Sequence, residues 1–287
     1  MPNAAKGVRE RLAGLALRMG TLDRRWIFLV MGLLVLYPLL FPLALPLQIT
    51  PPVRGFADAM DQLKPGSTVL MSCDYDPGAI PELVPMTRTA FRQLLSQDCK
   101  VVVTVLWNGG PGLVDSVLRE VAREFPDKHY GVDYVNLGYK AGNEAVMVLM
   151  GQGVANAFPR DYRGNNTRGL PMMREVGDYS TFALLVSVSA GYPGTKEWVQ
   201  QVQARFHLPM VAGVTAVSAP EYYPYLQSGQ LRGLLGGMAG AAEYEKARGE
   251  SGTATRGMDA QSLGHIFVAL CILGGNFVQW GRRRRGA

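Results

Sequence analysis

The residues of this sequence best suited to meet a ligand are Asp74, Asp76, Asn108, Gly110, Lys140, Glu144, Ser189, Thr195 and Thr215, with Ser187 close by. They fall in or beside five short stretches, Asp74 to Gly78, Asn108 to Gly112, Gly138 to Asn143, Ser189 to Thr195 and Thr215 to Tyr225, rich in glycine, proline and small polar residues. Glycine lets a ligand approach the backbone, and a helix beginning after each stretch offers free N–H groups to an anionic or polar group. The same residue types also have a plainer use, because Asp and Asn satisfy turn backbone while Ser and Thr cap helices. The chemistry on offer is binding of a small polar ligand, and the set says more than any one member.

Motifs that would specify a reaction are absent. There is no G-x-G-x-x-G after the first predicted strand, no Walker lysine loop, no H-E-x-x-H and no G-x-S-x-G. His129 and His207 lack metal-ligand spacing, so neither a metal nor a cofactor is expected. Cys73, Cys99 and Cys271 do not form a disulfide framework and read as free thiols.

Bringing the five stretches to one edge requires an open parallel sheet. Short apolar strands are predicted at Ser67 to Ser72, Lys100 to Leu106, Gly131 to Asn136, Phe182 to Val188, Met210 to Val214 and Leu231 to Leu235. Helices alternate with them, at Ala79 to Gln97 with a bend near Pro85, Leu113 to Phe125, Asn143 to Gly151, Lys196 to Phe206, Tyr222 to Ser228 and Ala241 to Ala247. In Leu113 to Phe125 the apolar residues Val114, Val117, Leu118 and Val121 recur at helical spacing. Pro51 to Gly66 reads as a short amphipathic connector, Val154 to Asp178 as one long irregular stretch, and Glu250 to Gly257 as a linker. The fold class is α/β, a single Rossmann-like, doubly wound and mostly parallel sheet of about six strands. Such sheets collect ligands beyond the strand C-termini.

Two resemblances follow from particular residues. The run from Pro209 to Gly237, with its strand, loop, short helix ending in Ser228-Gly229-Gln230 and further strand, resembles the late part of periplasmic sugar-binding-protein-like (type I) α/β domains. It implies that topology and a place in a ligand cleft. Asn108-Gly-Gly-Pro-Gly112 after a strand is similar to the glycine-rich oxyanion loop of membrane-bound signal-peptide peptidases of the serine/lysine type. That resemblance implies a tethered hydrolase with Lys140 as general base and Ser187 or Ser189 as nucleophile.

Flanking the α/β region are two apolar runs. Residues 26–49 carry no charge and are long enough for a transmembrane helix, although Pro38, Pro42 and Pro46 interrupt its distal end. Residues 262–280 form a second candidate span, interrupted by His265, Asn276 and Gln279. Gly264, Gly274 and Gly275 allow close approach of a partner helix, and Asn276 and Gln279 offer hydrogen bonds across it.

The net charge of +6 is a property of the tails. Residues 1–25 hold six basic side chains against two acidic, and residues 282–285 are four arginines, so the chain between them is slightly acidic. That excludes a nucleic-acid-binding domain. Basic flanks on the outer side of both spans place both termini in the cytoplasm. The expected organisation is a basic tail (1–25), a span (26–49), an extracytoplasmic or periplasmic domain (50–258), a second span (262–280) and a basic tail (281–287), in the inner (plasma) membrane. The expected function is a binding or scaffolding subunit of a cell-envelope complex of transport or secretion type. Its partners are the bilayer, other membrane or envelope subunits and a small polar ligand.

Overall fold

A computed structural model describes residues 23–285, Ala44 excepted. Most of the basic tail expected over residues 1–25 lies outside the described residues. The chain divides into two compact units, one holding residues 23–45 and 256–285, the other Pro46–Thr255.

The second unit is built on six parallel strands, β1 (Thr68–Asp74), β2 (Lys100–Val105), β3 (Tyr134–Tyr139), β4 (Leu184–Ser189), β5 (Met210–Val214) and β6 (Leu234–Gly236). Their spatial order is β3-β2-β1-β4-β5-β6, with β1 paired to β2 on one side and β4 on the other. This is an α/β fold with a doubly wound sheet whose strand order reverses between β1 and β4. Every residue of β1 and β4 is buried, as the near-continuous apolar runs TVLMSCD and LLVSVS require of strands covered on both faces.

Side chains alternate between the two faces. Leu70, Val102, Val135, Leu185 and Ala212 join one cluster with Met147, Trp198, Val202 and Tyr222. That face is covered by α5 (Glu144–Met150), α6 (Val154–Ala157), α7 (195–206, its middle wound as a π-helix over Val199–Gln203) and α8 (Ala219–Gln227). The opposite face carries α2 (Pro51–Asp61), α3 (Ile80–Ser96), α4 (Pro111–Ala122) and α9 (Gly237–Ala247), which pack on one another. Proline at the start of α2, α3 and α4 occupies positions whose N–H groups have no helical partner.

Within the stretch read as an amphipathic connector, Pro51 to Gly66, Pro51–Asp61 is helical as α2. It buries Val53, Phe56 and Met60, each of the larger two contributing about 2 kcal/mol by burial. Phe56 meets Tyr244 edge-on with ring centroids 4.8 Å apart. Gly55 and Gly233 let α2 and the chain entering β6 approach backbone to backbone, and a Cβ on Gly233 would collide with Phe56 N and Cα. Helix α9 also holds both ends of the unit. The Glu243 carboxylate accepts from Thr50 N–H at 2.7 Å and Thr50 Oγ1 at 2.6 Å, while Glu245 accepts from the N–H groups of Ala254 at 3.1 Å and Thr255 at 2.8 Å.

Several expected boundaries move. β1 and β4 run on to Asp74 and Ser189, so these two residues belong to strands rather than loops, while Ser187 lies in β4 as expected. β3 lies three residues later than expected, at Tyr134–Tyr139. The linker expected over Glu250 to Gly257 is helical from Thr253, because the Glu245 carboxylate caps the first turn of α10 (Thr253–Arg285).

In the first unit, α1 (Arg24–Leu40) starts behind Asp23, whose side chain accepts from Arg25 N–H at 2.9 Å. It ends two residues after Pro38 and the described residues of 42–50 are not helical, so α1 has 17 residues where the apolar run has about 24. Trp26 and Phe28 on it are 62% and 72% exposed. Among the described residues one helix, Thr253–Trp280, is long and apolar enough to cross a membrane. Asp259 on α10 accepts from the N–H groups of Leu43 at 3.0 Å and Leu45 at 3.1 Å.

Candidate functional site

An open α/β sheet ordinarily binds its ligand beyond the strand C-termini where the strand order reverses. Asp74 and Ser189 stand opposite each other at that point, and both are buried. Asp74 Oδ2 accepts from Ser72 Oγ at 2.6 Å and Trp198 Nε1 at 3.0 Å, and its Oδ1 accepts from Leu106 N–H at 2.7 Å. Burial pushes this carboxyl up to about 6, because the three hydrogen bonds only partly offset the loss of water around the charge. Ser187 Oγ and Ser189 Oγ each lie 2.9 Å from Thr195 Oγ1, and Ser189 Oγ also accepts from Thr195 N–H at 3.0 Å. Glu197 turns back to accept from Gly194 N–H at 2.8 Å. At the amino end of α7 the N–H groups of Gly194 and Thr195 are therefore satisfied from within.

The turn after β4 closes against this cluster. A Cβ on Gly194 would stand 2.7 Å from Ser189 Oγ, and the turn contains a cis Tyr192–Pro193 peptide. Trp107 Nε1 donates to the Pro193 carbonyl at 2.8 Å. The Tyr192 hydroxyl donates to Glu144 Oε2 at 2.9 Å and accepts from Asn143 Nδ2 at 3.3 Å. Gly110 presses on the Tyr75 carbonyl, where a Cβ would come within 2.6 Å. The protein's own loops are tied together across the reversal point.

Open space lies beyond β2 and β3 instead. A cleft of about 980 Å³ is bounded by Asn108 and Pro111 before and at the start of α4, by residues 137–140 at the end of β3, and by residues 155–162 with Asn166 and Arg168. The last wall is the long stretch after α5, which the sequence marks as irregular and which turns back on itself through an antiparallel bridge between Arg160 and Asn166. Lys140, Arg160 and Arg168 bring three positive charges to the lining. Asp161 is the one carboxylate among the lining residues, and it is buried. Its oxygens accept from the Tyr130 hydroxyl at 2.9 Å, Asn165 N–H at 2.7 Å and Asn165 Nδ2 at 2.9 Å.

The expected site residues thus separate into three groups. Asn108 and Lys140 line the cleft. Asp74, Ser187, Ser189 and Thr195 form the buried strand-end cluster, with Gly110, just before α4, and Glu144, the first residue of α5, around it. Asp76 and Thr215 do local work: Asp76 Oδ1 accepts from Gly78 N–H at 2.9 Å, and Thr215 Oγ1 lies 3.0 Å from Ser218 Oγ. The serine/lysine arrangement is not assembled, because both serines are buried against Thr195 while Lys140 lines a cleft that contains neither.

No local motif in the sequence singles out Arg160, Arg168, Trp107 or Tyr192. The two arginines sit in the long irregular stretch, whose length was the available signal. Trp107 and Tyr192 were visible only as members of glycine-rich turns.

The fold and its flanks define a doubly wound parallel α/β protein with a C-terminal helix able to cross a membrane. No described protein family and no curated protein matches the chain. Among solved structures, a trehalose-6-phosphate synthase, OtsA, is similar at 15% identity and a TM-score of 0.27, over 84% of this chain and 46% of that one. The chain spans less than half the length of that structure, and a likeness of this degree carries no argument about its chemistry.

Proposed function

We propose that this chain is a membrane-anchored α/β binding or scaffolding subunit of a cell-envelope complex of the transport or secretion type. The observation that carries the reading is the contrast at the strand C-termini: the reversal point, where reactive groups would gather, is crossed by the Trp107–Pro193 and Tyr192–Glu144 hydrogen bonds, while an open cleft stands beside it. Such a site suits holding a ligand more than transforming it.

The proposed topology has two passes, both termini in the cytoplasm and the α/β domain on the extracytoplasmic side of the inner membrane. Supporting it are the exposed apolar side chains of α1, the hydropathy of α10 and the arginines at the outer ends of both apolar runs. Partner subunits are supported by α10, where His265, Ala269, Ile272, Asn276 and Gln279 recur at heptad spacing and are all exposed. Amide side chains in an apolar span gain most by hydrogen bonding to another helix.

A reporter active only outside the cytoplasm, fused after Gly252, is expected to be active, and silence would overturn the orientation. Pull-down in mild detergent is expected to recover other membrane subunits. Labelling by a serine-reactive fluorophosphonate that disappears with Ser187→Ala or Ser189→Ala would overturn the non-enzymatic reading in favour of a tethered hydrolase.

A further inference from the structure

We propose that the cleft between the ends of β2 and β3 and the 155–168 wall is a binding site for a ligand bearing a phosphoryl group. This deepens the binding role proposed above and rests on it.

Charge is the first argument. Lys140, Arg160 and Arg168 converge on one cleft, and none of them takes part in an ion pair among the described residues. Asp161, the one carboxylate of the lining, takes its hydrogen bonds from Tyr130 and Asn165 and pairs with none of the three cations, so the lining keeps an excess of two positive charges. Arg163, the neighbouring cation, is turned onto the Tyr130 ring, 3.6 Å above its centre. The separation is selective, with the acid and one cation engaged in the wall and three cations left to the cleft.

Geometry is the second. Arg160 Nη1 donates to the Gly164 carbonyl at 2.8 Å, and Arg168 Nη2 donates to Asn156 Oδ1 at 2.5 Å. Each guanidinium is oriented through one N–H while its others have no hydrogen-bond partner among the described residues, which lowers the entropy lost when an anion binds. A planar guanidinium fork matches phosphate or carboxylate through two parallel hydrogen bonds. Three cations exceed what one carboxylate can neutralise, and a phosphoryl dianion matches them better. The Asn108 amide adds a neutral donor, and the cleft is roomy enough to hold a body attached to the anion.

The test is calorimetric titration of the full-length protein in detergent with pyrophosphate, inorganic phosphate, a short-chain phosphatidic acid and succinate. Saturable binding of at least one phosphoryl compound is expected, weakening as salt is raised. Arg160→Gln and Arg168→Gln, both at exposed positions, should each weaken it about tenfold or more without shifting the unfolding midpoint, as for a lost charge-assisted hydrogen bond. Arg119→Gln, on the α4 surface, should leave it unchanged. Preference for phosphatidic acid over the soluble phosphates would assign the phosphoryl group to a lipid headgroup, and the reverse to a free anion. Succinate binding as tightly as the phosphoryl compounds, undiminished binding in the double arginine variant, or binding by none of the probes would overturn the proposal. Retained pull-down of partner subunits in that last case would confine the failure to the anion site, whereas loss of both would remove the binding-subunit reading as well.

Discussion

Trp107 and Pro193 meet across the C-terminal edge of the sheet, the indole Nε1 donating to the Pro193 carbonyl at 2.8 Å. One residue follows β2 and the other follows β4, so the contact reaches over the end of β1. It ties together two of the loops that an open sheet would otherwise leave available to a ligand. Trp107→Phe keeps the ring and removes the donor. The expected cost is about 1 kcal/mol, with faster amide hydrogen exchange over residues 190–194. Unchanged exchange there would show that the turn is held by other contacts.

Asp74 gives the fold a pH dependence opposite to that of an ordinary surface carboxylate. Its carboxyl is raised by burial from 3.8 to about 6, so between these values the folded protein keeps a proton that the unfolded chain has released. Its contribution to stability therefore falls as pH rises through that window, by about 3 kcal/mol in all. In Asp74→Asn this part of the slope should vanish. The amide cannot accept from both Trp198 Nε1 and Leu106 N–H, so the variant should be less stable than the parent near pH 4 by about 1–3 kcal/mol. Coincident slopes of parent and variant in pH-dependent unfolding would refute the assignment.

Glu245 joins α9 to the first turn of the long C-terminal helix. Replacing it by Ala frees the N–H groups of Ala254 and Thr255 and the Thr255 hydroxyl. The expected loss is about 1–2 kcal/mol, as for other deleted helix caps. Trypsin should cut sooner at Arg248 or Arg256, and equal cutting rates in parent and variant would count against the cap.

Gly233 is a packing position. Gly233→Ala drives a methyl into the Phe56 backbone and should destabilise by about 3 kcal/mol. Gly249, with φ +71° and open space around it, should cost about 1 kcal/mol on the same change. Denaturant midpoints of the two variants test the ordering.

Asn276 and Gln279 are predicted to hold a partner helix. Asn276→Leu with Gln279→Leu raises the apolarity of α10 and should leave insertion intact while reducing pull-down of membrane subunits. Undiminished recovery would mean that the partner contact lies elsewhere.

The alternation of strands and helices was legible because each element shows its own period, as Val114, Val117, Leu118 and Val121 do for α4. Boundaries were less legible where a polar residue ends an apolar run. Asp74 and Ser189 read as loop residues, yet lie in strands, because buried hydroxyl and indole donors make their polarity tolerable inside. The amphipathic pattern of α2 is legible in Phe56 and Met60, but only the close approach of Arg232 and Gly233, just before β6, explains Gly55.

By itself the sequence determined the α/β class, the parallel sheet and the apolar C-terminal helix, since these depend on local periodicity and run length. It also pointed to the strand C-termini as the place for a site. Only the tertiary structure decided the strand order and which part of that edge stays open. Those outcomes depend on residues far apart in the chain, Trp107 on Pro193, Tyr192 on Glu144 and Arg168 on Asn156, whose meeting no local pattern encodes.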